Sequence, residues 1–524
     1  MGSDLKLDNT RKKSVRLPLK VPSFFLRLLL VVFLAIPSVY FLLTIPPLWR
    51  DSDAFYQVAT KFEFLTVLHF PPLYCFLARI PFLFSCLIDG SLWRNGFSFN
   101  WPTITDLGLY FLIIFQHLFL ISSLFAVCVG LAKSWVVRFA IAAWFVICLP
   151  FYAFAHCVGS EAIMPPLFLL TSLVGIQYLR TPSRQKLVVL FVLSVLCILD
   201  RHANGVIAGL VPLTIALIIC WLAFRPSIRN QLLGSWLGTN GRRLLMTTGV
   251  AIATIVTANS VVWIVCRLDK IPYRSRAGYA FLLRFNFIND LPPERRTAII
   301  DKAETDLHDP ALTAGLEQLK EMSVKGFFVP DYINNAVMAE LMAQGYKGQA
   351  LHVTSDQKLN QLLTYFLHRP PPEYVQAVVN DVITGMNLNP SVIAKDPFIS
   401  TDWLIRRRAE PRFEPLKGLR SLADDWDPLG KYATRFRFWS FVPFWWLTGL
   451  VVVGSLFLGF VARDYDDLCS AGYASACAII AAVVPIITSV VVELLPRLML
   501  PALALLFFGV AVLLARFDRG RSDP

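Results

Sequence analysis

Two carboxylates stand close together in Trp49-Arg50-Asp51-Ser52-Asp53-Ala54-Phe55-Tyr56, directly behind the first long apolar run of the chain. His69-Phe70-Pro71-Pro72-Leu73-Tyr74 follows shortly after. Charges so near hydrocarbon are costly and are kept where they pair or work. A carboxylate partly withdrawn from water can have its pKa raised until it serves as a general base near neutral pH. The segment therefore reads as a catalytic edge at a bilayer boundary. The plainer alternative is that Asp51 and Asp53 only solvate a loop, and the rest of the chain decides between the two. Three further short segments place charged residues at the ends of apolar runs: Ser160-Glu161, Asp200-Arg201-His202, and Glu493-Leu494-Leu495-Pro496-Arg497.

The frame that must position these residues is a membrane body. Of 524 residues, 56% are hydrophobic and only 16% charged, with 41 Phe and 13 Trp; a soluble protein averages about 25% charged. Apolar runs of roughly 20 residues recur, the signature of membrane spans. The fold class is all-α and polytopic, with about ten transmembrane helices. The net charge of +13 does not point to nucleic acid, because the basic residues cluster between spans, as in loops kept in the cytoplasm. Lys6, Arg11, Lys12, Lys13, Arg16 and Lys20 precede the first run, which is too long for a cleaved signal and lacks small residues at its end. It reads as a retained span with the N-terminus inside. Nine of the ten cysteines lie in or beside apolar runs, and no CxxC or Cys/His cluster has zinc spacing, so neither disulfides nor a structural metal is expected.

Spans are expected at about 23–45, 106–131, 137–155, 162–179, 186–199, 206–224, 246–266, 438–461, 470–492 and 498–515. Residues 54–68 suit a helix lying on the outer surface, and 71–88, with Arg79 and Pro81, a second surface or half-inserted helix. Residues 268–437 form one hydrophilic block with recurrent proline breaks. Val375, Val378, Val379, Val382 and Ile383 follow a helical period behind Pro371-Pro372, and Ser355-Asp356 is a candidate helix start. The organisation is thus an N-terminal transmembrane module at 1–267, an external, mainly helical domain at 268–437, and C-terminal spans at 438–524. Ten spans put both termini inside and make each cytoplasmic segment basic. They place Asp51, Asp53, Glu161, Asp200, Arg201, His202, Glu493 and Arg497 together on the outer face.

With that sidedness the chain resembles the GT-C superfamily of membrane glycosyltransferases, which includes protein O-mannosyltransferases and the aminoarabinose transferase of lipid A. Four pieces carry the resemblance: Asp53-Ala54-Phe55-Tyr56-Gln57-Val58-Ala59 as Asp-x-x-Tyr-x-x-Ala, Pro72-Leu73-Tyr74, Ser160-Glu161, and Arg201 in the turn Asp200-Arg201-His202. The Glu493 to Arg497 turn also looks like these enzymes. The likeness covers most of the first six spans and the final hairpin but not 268–437. Two features depart from it: Asp-Ser-Asp stands where many members have Asp-Glu, and His-Ala-Asn follows Arg201 where proline is usual.

The resemblance implies a sugar donor on a polyprenyl-phosphate-type carrier and a hydroxyl acceptor on a glycan, lipid or protein. It implies Asp53 as the base, favoured over Asp51 by its spacing to Tyr56, with Asp51 orienting the acceptor or raising the base's pKa. Glu161, Arg201, His202, Arg497, Tyr56 and Tyr74 are the substrate-binding candidates. Arginine suits phosphate because its fork donates two parallel hydrogen bonds, and fixed cations stabilise the charge that gathers on a leaving phosphate. Arg201 and Arg497 could instead anchor span ends at headgroups, and His69 and His156 read as interfacial hydrogen-bonders. Arg406-Arg407-Arg408 reads as a solvated or headgroup-facing patch. Asp424-Asp425-Trp426-Asp427 lacks the glycine and terminal glutamate of a calcium loop. No cofactor is implied, although some relatives use a divalent ion.

The expected setting is a bacterial inner membrane, with membrane lipids as partners and the site facing the periplasm. A polysaccharide polymerase or ligase is the same-class alternative. A transporter should carry paired charges at mid-bilayer on broken helices, and a non-enzymatic scaffold would tolerate any change at the outer-face carboxylates.

Overall fold

The computed structural model describes residues 23–44, 48–49, 73–88, 90, 106–223, 226–268, 277–289, 291–321, 329–399, 442–462, 464–492 and 496–521. Asp51, Asp53, Tyr56, His69, Glu493, the Arg406–Arg408 run and the Asp424–Asp427 cluster lie outside the described residues.

The first half is a helical bundle: α1 (Ser23–Thr44), β1 (Leu48–Trp49), α2 (Leu73–Ile88), α3 (Asp106–Leu131), α4 (Trp135–Val146), α5 (Leu149–Ala155), β2 (Cys157–Val158), α6 (Met164–Arg180), α7 (Arg184–Asp200), α8 (Leu210–Ala223) and α9 (Pro226–Leu268). A second set follows: α10 (Ala277–Leu282), α11 (Asn286–Asn289), α12 (Pro293–Leu307), α13 (Pro310–Glu321), α14 (Val329–Ala343), α15 (Gly348–His368), α16 (Pro372–Asn387) and α17 (Pro390–Ile399). The chain closes with α18 (Phe444–Val461), α19 (Tyr465–Val491) and α20 (Leu500–Ala515).

Among the described residues, eight helical segments are long and apolar enough to cross a membrane, or nine if the bent α4–α5 pair is one span. The protein is an integral, multi-pass, all-α membrane protein. The segment expected as one span at about 137–155 is broken by 64° between α4 and α5. Pro150 sits in the first turn of α5, where its missing N–H lets a new helix start but not an old one continue. The span expected at about 186–199 coincides with α7, whose 17 residues are fewer than in any of the eight.

Which helices are central follows from their surfaces. The windows around α20 and α6 are each 83% buried, those around α1 and α9 only 28% and 22%. A helix apolar on every side and packed on every side is a core element, and the last helix fills that place. Beside it runs α19, packed against α8, α18 and α20. Its Ser470, Ala471, Gly472, Ala474, Ala476, Ala478 and Ala481 are small and buried, and small residues let membrane helices approach closely.

Chain direction divides the charged residues between the two ends of this bundle. One end holds Glu161 before α6, Arg201 after α7 and Arg497 before α20. The other holds Arg180 at the end of α6, Arg184 at the start of α7 and Arg516 after α20. At that second end Asp518 accepts from the backbone N–H of Lys133 and Ser134 at the start of α4, where a carboxylate satisfies orphan donors. Arg516 pairs with buried Asp467 at 2.8 Å. The segment entering α19, Asp464-Tyr465-Asp466-Asp467, is acidic, so the expectation of a basic segment at every such turn fails here. Asp467 is held by Arg516, and Asp464 caps α19 by accepting from the backbone N–H of Asp467.

The helices of 277–387 enclose a second, separate core, with Phe281, Phe285, Phe366 and Tyr374 at its centre. The helix expected to start at Asp356 starts eight residues earlier, at Gly348. Asp356 is buried mid-helix, where Asn360 bonds its carboxylate, and Ser355 bonds Asn334. Side-chain partners inside the fold thus replace the cap that the residue types advertised. At Gly278 an added Cβ would stand 2.3 Å from the backbone carbon of Leu359. Backbone cannot yield as a side-chain tip can. Gly278→Ala should therefore destabilise this second core by about 3 kcal/mol or more, read as a lowered unfolding midpoint of the purified protein.

Candidate active site

Glu161 lies in a 3-10 turn, Ser160–Ala162, between β2 and α6, and is 7% exposed. Its Oε1 accepts from Arg201 Nη1 at 2.9 Å and stands 4.0 Å from Arg497 Nε. Residues 161, 201 and 497 thus meet from three distant parts of the chain at one end of the bundle. Two guanidinium groups thus face one carboxylate. Arg201 is partly open, with its side chain 29% exposed, while that of Arg497 is 19% exposed.

Each member is held by its own local chemistry. Arg201 ends α7 in extended backbone, and its carbonyl accepts from Asn204 N–H at 2.9 Å as the chain turns into the 3-10 stretch His202–Gly209. The neighbouring Asp200 is buried and accepts from Asn204 Nδ2 at 3.1 Å. Burial drives its carboxyl well above the usual range; Glu161 nearby adds to that, and Arg201 opposes it. His202 is exposed and makes no ion pair with Glu161, so it stands outside the cluster.

The turn carrying Glu161 is clamped from behind by α2 and α3. Tyr74 is 1% exposed; its hydroxyl accepts from Gly159 N–H and donates to Gln116 Oε1, each at 2.9 Å. Gln116 Nε2 donates to the carbonyls of Ala155 and Cys157, each at 3.0 Å. Tyr74, expected among the substrate contacts, thus fixes backbone beside Glu161 from inside the bundle. Helix α2, expected to lie on the surface or half-inserted, packs along α3 and buries Ala78, Arg79 and Phe82 as well. Losing the Tyr74 hydroxyl leaves the Gly159 N–H and one lone pair of Gln116 without that partner, at about 1–3 kcal/mol. Tyr74→Phe should lower the thermal midpoint accordingly, while Tyr74→Ala should be worse because a full aromatic volume is lost as well.

Two short strands complete the end of the bundle. Leu48 and Trp49 pair in parallel with Cys157 and Val158. The chain entering the Asp51–Asp53 segment therefore runs beside the chain entering the Glu161 turn. Helix α17 packs against β1, against α5 and against the 3-10 turn Pro496–Met499 that carries Arg497. Residues of the hydrophilic block thereby border the site.

Sequence reasoning did not single out Gln116 or His117. His117 Nδ1 lies 3.0 Å from Ser38 Oγ, and its Nε2 lies 3.1 Å from Nδ1 of His156. Both rings are essentially buried, so His156 is an interior partner and not an interfacial one. The signal was present as two adjacent polar residues in the middle of a 26-residue apolar helix, a placement that hydrocarbon penalises. Among the described residues, no group of three or more His, Cys, Asp or Glu is placed to hold a metal ion.

No protein-family model matches this chain, and its sequence matches none of the curated proteins compared with it.

Proposed function

We propose that this protein is a glycosyltransferase that moves a sugar from a polyprenyl-phosphate-type carrier to a hydroxyl acceptor on the non-cytoplasmic side of the membrane. The observation that carries this reading is the meeting of Arg201 and Arg497 on one buried carboxylate, Glu161, beside the strand that leads into Asp51 and Asp53. In this reading ten spans place both termini in the cytoplasm, 268–437 is an external domain shaping the acceptor side, and the membrane is a bacterial inner membrane with the site towards the periplasm.

The chemistry follows from the residue types. Asp53 takes the proton of the acceptor hydroxyl as that oxygen attacks the anomeric carbon. The bond from that carbon to the phosphate oxygen breaks, and its electron pair leaves with the lipid phosphate. Arg201 and Arg497 meet the charge gathering on the phosphate, in a partly desolvated place where fixed cations act more strongly than in water. Glu161 holds both guanidinium groups before the donor arrives, so little reorganisation remains for the transition state. Asp51 and Tyr56 orient the acceptor.

The test is incubation of proteoliposomes holding the purified protein with radiolabelled polyprenyl-phosphate sugars and membrane extract. Movement of label from the lipid to a new product supports the reading. Retention of every label on its carrier across the donors tried counts against it.

A bent span beside a buried histidine pair favours a second reading, proton-coupled transport, because broken helices and interior titratable groups mark transporters. The two separate cleanly. His117→Gln should leave sugar transfer within about threefold of the parent, since the pair lies behind the clamp and not among the reacting atoms. The transport reading instead expects no transfer of label by the parent, and proton-coupled uptake into proteoliposomes that His117→Gln lowers by about 100-fold.

A further inference from the structure

Helix α16 carries an exposed face that sugar transfer leaves unused. Val375, Val379 and Ile383 recur every four residues and are 46%, 44% and 54% exposed. The helical period read at these positions thus falls, in large part, on an open face. Beside this stripe lie Gln376, Asn380 and Thr384, also exposed, so the outward face has no charge. The two carboxylates of the helix are engaged elsewhere: Glu373 pairs with Arg295, and Asp381 with Arg284. A helix facing water normally shows charged side chains there.

The ends of α16 show what lies opposite. The Tyr374 hydroxyl donates to the carbonyl of Val490, at the end of α19. The carbonyl of Leu388, just past the other end, accepts from the N–H of Phe444 at 2.8 Å, the first residue of α18. Both α18 and α19 are membrane-crossing helices, and they run in opposite directions, so Val490 and Phe444 mark the same membrane surface. α16 therefore spans from one to the other along the rim of the bundle, roughly 24 Å at 1.5 Å per residue. At that rim Trp445 and Trp446 are 47% and 59% exposed, and Leu450, Val453 and Phe457 continue the open apolar face down α18. Exposed tryptophan at the end of a span marks the headgroup level.

The geometry points to α16 as an interfacial helix, with Val375, Val379 and Ile383 seated in the headgroup–acyl boundary of the bilayer. It fastens the second core to the membrane beside the bundle. An uncharged apolar stripe on a helix bonded at its end to the start of α18, whose own open side is apolar, fits lipid. This assignment stands whether or not the protein transfers sugar.

The full-length protein is reconstituted in phosphatidylethanolamine–phosphatidylglycerol vesicles doped with a phospholipid carrying a diazirine near the top of its acyl chain. After irradiation and proteolysis, adducts are counted by mass spectrometry. Adducts on 373–387 should come within about threefold of those on 445–460 and exceed those on 348–368 by about tenfold. In the double variant Val379→Glu, Ile383→Glu, adducts on 373–387 should fall about tenfold while those on 445–460 hold, which also shows that the bundle is folded. Labelling of 373–387 no higher than 348–368 overturns the assignment. So does disulfide-linked dimer formation by an Asn380→Cys variant together with loss of the lipid adducts on 373–387, because the face would then be covered by a second copy of this chain.

Discussion

Asp53→Asn should abolish sugar transfer, by about 10²–10⁴-fold, while the lipid-linked donor still binds. The substituted amide keeps the size and a hydrogen-bonding oxygen but cannot take the acceptor's proton. In the proposed reading donor binding rests on the arginines, which this change does not touch. The measurement is a pair of readings on the same proteoliposomes: label transferred per unit time, and labelled donor retained at equilibrium. Asp51→Asn should fall between this variant and the parent, since that residue orients the acceptor and takes no proton. Full transfer by the Asp53 variant would remove the assignment of the base and leave the cationic end of the bundle unexplained.

Arg497→Ala should act on the other reading, donor affinity. The guanidinium stands 4.0 Å from Glu161, longer than a hydrogen bond, whereas Arg201 already makes one at 2.9 Å. Of the two, Arg201 is thus the one hydrogen-bonded to the carboxylate, and the proposed reading gives Arg497 to the donor phosphate. A charge-assisted hydrogen bond contributes about 1.5–3 kcal/mol, so the donor should bind about 10- to 150-fold more weakly. Arg201→Ala carries a structural cost as well, because it takes from the nearly buried Glu161 the partner hydrogen-bonded to it; breaking such a pair costs about 3–5 kcal/mol in a closed interior and less here, where Arg201 is partly open. The two variants should therefore separate: weaker donor binding with a near-normal thermal midpoint for Arg497→Ala, and a lowered midpoint for Arg201→Ala. Equal donor affinity in the Arg497 variant and the parent would count against phosphate recognition at this cluster.

The sequence by itself determined the membrane body. Hydrocarbon leaves a chain few options, so long apolar runs became helices close to where they were expected, as in α1, α3, α8 and α19. It also determined that Glu161, Arg201 and Arg497 fall at one end of the bundle, because alternating spans fix which turns share a face. Tertiary structure decided everything that depends on partners distant in the chain. The break between α4 and α5 needed more than Pro150, since proline also sits inside the continuous helices α1 and α19. Tyr74 reads in sequence as a substrate contact in Pro72-Leu73-Tyr74, and only the approach of Gly159 and Gln116 makes it a clamp. The Val375, Val379 and Ile383 stripe has the same period whether it meets a core or a bilayer. Periodicity reports that a helix has an apolar side, and packing alone settles what that side touches.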